Sequence, residues 1–371
     1  TPEKTSGHQT PNKAVTSTFT MSTEHEGRVR IGISIGDVNG IGPEVVIKAL
    51  SDNRITQVCT PVIYGSSKVI SAHRKALNMQ EFNFNTIRNI SEVIQRKVNL
   101  INCWDEEIKL EIGTASTVTG PYALKALQTA TTDLAAGHID ALVTAPIDKH
   151  TIAPEGGFTG HTEFLARAFN TTDYLMFLVS GELRVALVTG HVPVSKVASL
   201  ITKERIQQKV KLMVTSLKRD FGIRKPRIAV LSLNPHAGDH GVIGNEDKEI
   251  IAPAIKELYE KGTFVFGPYP SDGFFGSGQH KQFNAVLAMY HDQGLIPFKT
   301  LAFENGVNYT AGLPVVRTSP DHGTAYDIAG KGIADNNSFK EAVYLAIDVY
   351  NSRNQYAEIS QKPLKTNEKQ L

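Results

Sequence analysis

The chain has 371 residues, 41% of them hydrophobic, and its 39 basic and 37 acidic side chains give a formal net charge of +2. Such a length can bury one large core, although we expect two smaller ones. The nearly neutral charge provides no global field to gather nucleic acid or an anionic membrane. Cys59 and Cys103 suit neither a disulfide framework nor a thiolate metal site. No apolar run is long enough to span a bilayer and no secretory signal is evident, so we expect a cytoplasmic protein.

Both ends of the chain are polar. Residues 1–27 are rich in Thr, Ser, Lys and Glu and are predicted to form a disordered tail, because they bury too little apolar surface to offset ordering. Met21 lies inside this tail and is a candidate for the natural start. Residues 361–371 have the same character and are predicted to fray.

Between the ends, short β-branched runs alternate with segments of helical periodicity, which predicts an α/β protein. Most of the motifs follow predicted strands, where open α/β sheets place their ligands, so we expect them to converge in one cleft. The strands are predicted at Val29–Ile35, Val62–Tyr64, Val98–Asn102, Ala141–Thr144, Arg184–Val188, Ile228–Leu233 and Ala285–Met289, and the helices at Gly42–Leu50, Tyr122–Ala136, Lys203–Lys218, Glu246–Lys261 and Phe339–Tyr350.

The first motif, Gly36–Glu44, joins the first strand to the first helix, which begins near Pro43. Its glycines permit a tight turn and a close approach of the backbone, so the amides of the helix could face a cofactor pyrophosphate or another anion. The spacing is not the dinucleotide fingerprint and there is no Walker lysine. A purely structural turn is an equally good interpretation.

Three histidines, His191, His236 and His291, each follow a hydrophobic strand in a turn bounded by Gly or Pro. Neutral imidazoles supplied from strand ends can hold a divalent ion such as zinc and leave positions open for substrate or water, so the pattern predicts a catalytic metal site. Any one of them alone would be interpreted as structural. The nearby Asp239, Asp272 and Asp292 are either partners that orient an imidazole or act on substrate, or ordinary loop carboxylates.

Two further groups of residues suit an anionic ligand. His161 and Thr162 stand at a predicted helix start, where free amides favour a carboxylate or phosphate, although packing or capping is the alternative. Lys299, Asn308 and Arg317 lie at predicted strand or loop edges within largely apolar sequence, which favours binding of a small phosphorylated acid over a solvated surface position.

The segment Asp321–Ala334 resembles the adenosine-binding loop of the isocitrate and isopropylmalate dehydrogenase superfamily. That resemblance implies that His322, Gly323, Thr324 and Ala325 bind NAD or NADP without the usual dinucleotide fingerprint. Within the superfamily, residues 29–350 resemble the 4-hydroxythreonine-4-phosphate dehydrogenase family. The similarity rests on the first motif, on Gly160–Glu163, Asn234–Gly238 and Tyr290–Gly294, and on the run from Gly306 to Thr318, while Val38-Asn39 departs from a frequent Pro-Ala.

The resemblance implies a two-domain α/β/α sandwich with a cleft between the domains, and a homodimer with its active site at the interface. One domain, formed by residues 28–140 and 300–360, is expected to bind the cofactor. The other, residues 141–299, is expected to bind metal and substrate and to form the dimer. By the same resemblance, the three histidines match metal ligands for Zn, Mg or Co, and His161, Thr162, Lys299, Asn308 and Arg317 match the substrate-binding positions.

The implied reaction is the NAD(P)-linked oxidation of 4-phosphohydroxy-L-threonine to a β-keto acid that decarboxylates, in vitamin B6 biosynthesis. A base must take the hydroxyl proton, and Lys299, Asp272, Asp292 and His161 are all candidates. The alternatives are a dehydrogenase for D-threonate or D-erythronate 4-phosphate, a phosphate acyltransferase, and a metal-dependent hydrolase.

Overall fold

The computed structural model describes residues 28–152 and 158–361, so the predictions for residues 1–27 and 362–371 lie outside the described residues. Gln361, which was assigned to the frayed end, is the last residue of a helix.

The strands are β1 (Arg30–Ser34), β2 (Thr60–Gly65), β3 (Asn85–Ile87), β4 (Asn99–Asn102), β5 (Ala141–Thr144), β6 (Leu175–Ser180), β7 (Leu183–Leu187), β8 (Ile228–Leu231), β9 (Val265–Tyr269), β10 (Ala285–Ala288), β11 (Val307–Ala311) and β12 (Val316–Pro320). The helices are α1 (Gly42–Leu50), α2 (Asn53–Val58), α3 (Ser67–Ala76), α4 (Gly120–Ala135), α5 (His161–Ala168), α6 (Val194–Leu200), α7 (Lys203–Arg219), α8 (Ala252–Glu260), α9 (Ser271–Gly276), α10 (His291–Ala302) and α11 (Asn337–Gln361).

All twelve strands form one sheet in the order β3-β4-β2-β1-β5-β12-β11-β6-β7-β10-β8-β9. The first six strands of this order are mutually parallel, as are the last four. Three antiparallel pairings, β12 with β11, β11 with β6 and β6 with β7, lie between the two sets. An odd number of reversals makes the two sets run in opposite directions, so their carboxyl ends lie at opposite edges of the sheet.

The two faces of the sheet are covered differently. One face carries a single continuous core, to which helices α1, α3, α7, α8 and α11 contribute. The other face carries two separate cores, one beneath α4 and α5 and the other beneath α9 and α10. Because side chains alternate along a strand, Asn308 and Thr310 of β11 and Arg317 of β12 point to this second face, between the two cores. The gap between the cores is therefore polar.

The predicted α/β class is confirmed, and α1 and β5 have the predicted bounds. Helix α10 was missed, because Gly294 and Pro297 argue against a helix there, and Lys299 consequently lies on a helix and not at a strand or loop edge. The helix forms despite Pro297 because α10 packs on β7 and β10, and tertiary contact overrides propensity. In the described part of the chain, no helix combines the length and apolar character that crossing a bilayer requires.

Candidate active site

A cavity of 760 Å³ lies in the polar gap between the two cores of the second face. Strands β5, β11 and β12 form its floor, the start of α5 forms one wall, and Lys299 of α10 contributes to the other. The five residues predicted to bind substrate all line the cavity, and so do three of the residues predicted for metal and cofactor. These residues are His161, Thr162, Lys299, Asn308 and Arg317, together with His191, His322 and Gly323.

Arg317 is the centre of the floor. Only 3% of it is exposed, and its guanidinium donates to the hydroxyls of Thr144 (2.7 and 3.1 Å), Thr310 (3.2 Å) and Thr162 (3.5 Å). No carboxylate of the described residues forms an ion pair with it. Burial lowers the pKa of Arg317 to about 10, so the side chain remains a cation at neutral pH. The Glu163 carboxylate, which lines the same cavity, opposes this lowering but forms no ion pair with Arg317. A buried cation without a directly paired carboxylate is a site for an anionic ligand.

His161 lies beside this cation at the start of α5. Its Nε2 atom is buried and has no hydrogen-bond partner in the described structure. Burial, together with the positive charges of Arg317 and Lys149, holds the pKa of His161 well below 6.5, so the ring is neutral and offers a hydrogen bond to a ligand. The preceding Gly160 has φ +151°, a backbone conformation that residues with a side chain rarely adopt. The local backbone therefore depends on glycine at this position.

Two more orphaned polar atoms face the same region. Asn308 Oδ1 and His322 Nε2 are buried without partners among the described residues. Lys299 Nζ lies 3.4 Å from Asp321 Oδ2, which joins the end of α10 to the segment after β12. Burial raises the pKa of Asp321 and lowers that of His322. Native proteins rarely leave buried polar atoms unpaired, so these atoms fit a polar ligand with its own donors and acceptors.

The three predicted metal ligands follow β7, β8 and β10, neighbouring strands whose carboxyl ends share one edge of the sheet. The His191 and His291 rings have centroids 5.5 Å apart, and both rings line a smaller cavity of 450 Å³ that shares Lys299 and Asn308 with the main one. His236 is exposed, in a left-handed turn at φ +52°, and lines neither cavity. Within residues 28–152 and 158–361 of this single chain, no three His, Cys, Asp or Glu side chains gather closely enough to hold a metal ion.

Of the predicted catalytic residues, Lys299 lines the main cavity, and Asp272 and Asp292 line a groove of 470 Å³ between α9 and α10. Asp292 and Lys299 also line the smaller cavity of 450 Å³ together with His191 and His291. Asp292 Oδ1 lies 2.7 Å from His291 Nδ1, a contact that orients the ring and leaves Nε2 to act as a ligand. Asp239 lies in the same left-handed turn as His236 and lines none of these cavities.

The predicted cofactor loop packs on the first motif. Ile41 N donates to Thr324 O at 2.9 Å, and a Cβ on Gly40 would approach that oxygen to 2.8 Å. The Tyr326 hydroxyl donates to Asp37 Oδ2 at 2.8 Å. Every residue from Ile31 to Ile47 is buried, so the structure favours the interpretation of the first motif as a structural turn rather than an open anion site.

Sequence reasoning missed several residues that line or frame the cavity. Thr144 and Thr310 hold the guanidinium, Asp321 pairs with Lys299, and the Lys149 ammonium borders His161. Thr144 is the last residue of a predicted strand, but hydroxyls that orient a buried arginine leave no spacing signal. The pairing of β5 with β12, which brings them together, is a tertiary fact.

Comparison with known proteins identifies the family. The family profile described as "Pyridoxal phosphate biosynthetic protein PdxA" matches residues 57–346. A 4-hydroxythreonine-4-phosphate dehydrogenase of Bacteroides thetaiotaomicron is 53% identical over 342 residues, which are 92% of this chain and 94% of the relative. A relative from Oceanobacillus iheyensis, provisionally named a D-threonate 4-phosphate dehydrogenase, is 40% identical over 86% of this chain and 97% of its own.

The crystal structure of a 4-hydroxythreonine-4-phosphate dehydrogenase from Klebsiella pneumoniae has the same fold. Its TM-score is 0.73 at 34% identity, and the alignment covers 87% of this chain and 99% of the other. The predicted resemblance is thus confirmed by the family profile, by the relatives and by the fold. The chain belongs to the PdxA family of pyridoxal phosphate biosynthetic proteins, which includes the 4-hydroxythreonine-4-phosphate dehydrogenases.

Proposed function

We propose that this protein is an NAD(P)-dependent dehydrogenase that oxidises 4-phosphohydroxy-L-threonine to a β-keto acid, which decarboxylates to 3-amino-2-oxopropyl phosphate. The observation that carries the proposal is the buried Arg317, a cation whose partners among the described residues are hydroxyls. A phosphorylated hydroxy acid brings the counter-ion that this site lacks. The Bacteroides thetaiotaomicron relative, 53% identical, carries the name of this activity.

The cavity supplies the groups that would position such a substrate. Arg317 offers a planar fork and Thr162 a hydroxyl, the neutral His161 offers a ring nitrogen, and Asn308 offers an amide oxygen without a partner. Lys299 stands at the far end of α10 and adds a second positive charge. Holding both ends of the substrate fixes the carbon that loses hydride against the nicotinamide. The His322–Ala325 loop, which resembles an adenosine-binding loop, would hold the adenosine end of the dinucleotide, and its His322 and Gly323 line the same cavity.

His191, His236 and His291 would hold a divalent ion, Zn, Mg or Co. When bound, the ion supplies positive charge for the oxygen that becomes negative during oxidation and during loss of carbon dioxide. The adjacent rings of His191 and His291 and the Asp292 contact fit a metal-ligand pair. We assign the base to Lys299, Asp272 or Asp292, of which Lys299 alone lines the main cavity.

We further propose a homodimer with its active site at the interface, working in the cytoplasm. Exposed apolar side chains on and after α10 support the dimer: Ile296 is 63% exposed, Leu301 54% and Phe303 78%. Apolar side chains concentrated on one surface are typical of an interface. A second copy seated there would lie next to His291 and could complete the ligand set. We also propose the division into a cofactor domain and a metal domain, which is supported by the core beneath α9 and α10, because its buried residues all fall within 141–299.

The test is a steady-state assay of NADH or NADPH formation with a divalent ion. We expect saturable turnover of 4-phosphohydroxy-L-threonine with a kcat/KM at least tenfold above that of D-threonate 4-phosphate. The reverse order would instead assign the activity named for the Oceanobacillus iheyensis relative. Acyl transfer or hydrolysis without any reduced nicotinamide would reject the proposal.

A further inference from the structure

We infer that Asn39 is a positioning residue for cofactor binding. It holds residues 103–119, called here the 103–119 loop, against the first motif and against the segment that follows the cofactor loop. The inference rests on the proposed function, since it takes His322–Ala325 as the dinucleotide site. Asn39 belongs to the first motif, is 0% exposed, and is not among the residues assigned to substrate, metal or cofactor.

Every polar group of Asn39 has a partner. Its side chain accepts a hydrogen bond from Glu111 N at 2.9 Å and donates to Thr119 Oγ1 at 3.1 Å. Its backbone oxygen accepts from Gly113 N at 2.8 Å, and its backbone nitrogen donates to Asp37 Oδ1 at 2.9 Å. Three of these four bonds reach into the 103–119 loop. One buried amide therefore holds both the middle and the end of that loop.

The same loop packs on the segment that follows the cofactor residues. A Cβ on Gly113 would lie 3.2 Å from Tyr326 O, and a Cβ on Gly330 would lie 2.8 Å from Ile112 Cγ2. Tyr326 in turn donates to Asp37, the residue that accepts from the Asn39 amide. The 103–119 loop, the first motif and the cofactor segment therefore all contact one another, and Asn39 is the residue of the first motif that bonds to the loop.

Between Trp104 and Thr119, the loop's other anchors are three half-buried apolar side chains, Ile108, Leu110 and Ile112, which pack against the core. Most of residues 105–118 are exposed, whereas Trp104 at its start and Thr119 at its end are buried. Ordered loops longer than roughly 12 to 15 residues without secondary structure are uncommon and are often functional. Half-buried apolar contacts do not fix a backbone position as a buried hydrogen-bonding amide does, so we expect the loop to loosen when the Asn39 side chain is removed. The cofactor segment would then have to be ordered by the dinucleotide itself, which weakens binding.

Trp104 provides an intrinsic fluorescence probe of the 103–119 loop. Trp104 is the single tryptophan, 5% exposed, and its ring lies 5.0 Å from that of Tyr122. Its fluorescence and its quenching by acrylamide report the order of the loop without any turnover. NAD and NADP titrations by calorimetry on the full chain provide the second readout, and the KM for dinucleotide against kcat provides the third.

The test compares Asn39→Ala with the parent. With two buried side-chain hydrogen bonds lost, we expect dinucleotide Kd and KM to rise roughly tenfold, with a smaller change in kcat and with easier quenching of Trp104. Thr119→Val should shift both readouts in the same direction, and Thr119→Ser, which keeps the hydroxyl, should restore them. Thr132→Val is the matched control, because the Thr132 hydroxyl bonds only within α4, to Gln128 O at 3.0 Å.

Parental dinucleotide affinity in Asn39→Ala, or a Trp104 that stays shielded, would overturn the inference. Should Asn39→Ala fail to fold, as judged by its thermal transition, Thr119→Val decides in its place by the same two readouts. A parent that binds neither dinucleotide would overturn the proposed function and the cofactor role of Asn39 together. A parent that binds normally beside an unaffected Asn39→Ala would overturn the inference alone.

Discussion

Arg317 and Thr144 are 173 residues apart, yet the Thr144 hydroxyl accepts from both Nη2 and Nε of the guanidinium, at 2.7 and 3.1 Å. The parallel pairing of β5 with β12 makes the contact, because it places the end of one strand beside the middle of the other. A neutral hydroxyl orients the guanidinium without neutralising it. The site thus keeps its full positive charge for a ligand.

Replacement of Arg317 separates binding from stability. We expect Arg317→Met to lower kcat/KM for the phosphorylated substrate by roughly a hundredfold or more, as loss of a bidentate charged contact requires. The ligand-free variant should be as stable as the parent or more stable by up to about 3 kcal/mol, because it no longer buries an unpaired charge. A steady-state assay measures kcat/KM. Urea unfolding with and without inorganic phosphate measures stability and anion binding, since phosphate should stabilise only the parent. A variant that phosphate stabilises equally would show that the anion binds elsewhere.

Protonation of His161 should make stability depend on pH. Its pKa in the folded protein is held well below the unfolded value of 6.5 by burial and by the neighbouring cations. Below pH 6.5 the unfolded chain therefore binds more protons than the folded protein, and stability falls as pH falls toward the folded pKa, whereas above pH 6.5 this contribution is constant. His161→Gln should flatten the slope of the unfolding free energy between pH 7.5 and 5.5. An unchanged slope would mean that other groups carry the dependence, the buried His73 and His322 among them.

Glu44 should matter more for stability than its distance from the cavity suggests. Its fully buried carboxylate accepts from Gly330 N at 3.0 Å and Ala334 N at 3.1 Å, and lies 2.9 Å from Lys48 Nζ. Glu44→Gln should cost about 2 to 4 kcal/mol, because the amide nitrogen must face one of the two backbone donors and the charge of Lys48 loses its carboxylate partner. Chemical denaturation measures the loss.

The control for Glu44 is a similar pair on the surface. Glu257 lies 2.9 Å from Lys203 Nζ, but both side chains are about 40% exposed. Glu257→Gln should leave the denaturation midpoint unchanged, because solvent screens such a pair. Equal losses in the two variants would indicate that burial of the Glu44 pair is not what stabilises the segment after the cofactor loop.

His236 tests the metal site and the dimer together. His236→Ala is expected to abolish turnover and metal binding while leaving cofactor affinity largely intact, because a site with two protein ligands holds a catalytic ion poorly. Metal analysis after gel filtration, alongside steady-state assays, provides the measurement. Near-normal turnover would reject the ligand role. Mixing His236→Ala with His191→Ala should restore part of the activity if the ligands come from different subunits of a dimer.

The amino-acid sequence by itself determined the α/β class, the bounds of α1 and β5, and the composition of the anion site, because hydrophobic periodicity and residue chemistry are local properties. It missed α10, whose glycine and proline conceal a helix that packing stabilises. Only the tertiary structure showed that the two sets of strands run in opposite directions, so that the residues after β5 and β12 and His191 after β7 reach the main cavity from opposite edges of the sheet. His291 after β10 lines the smaller cavity that shares His191, Lys299 and Asn308 with the main one. Strand order and direction depend on pairing between distant segments, which no local pattern encodes.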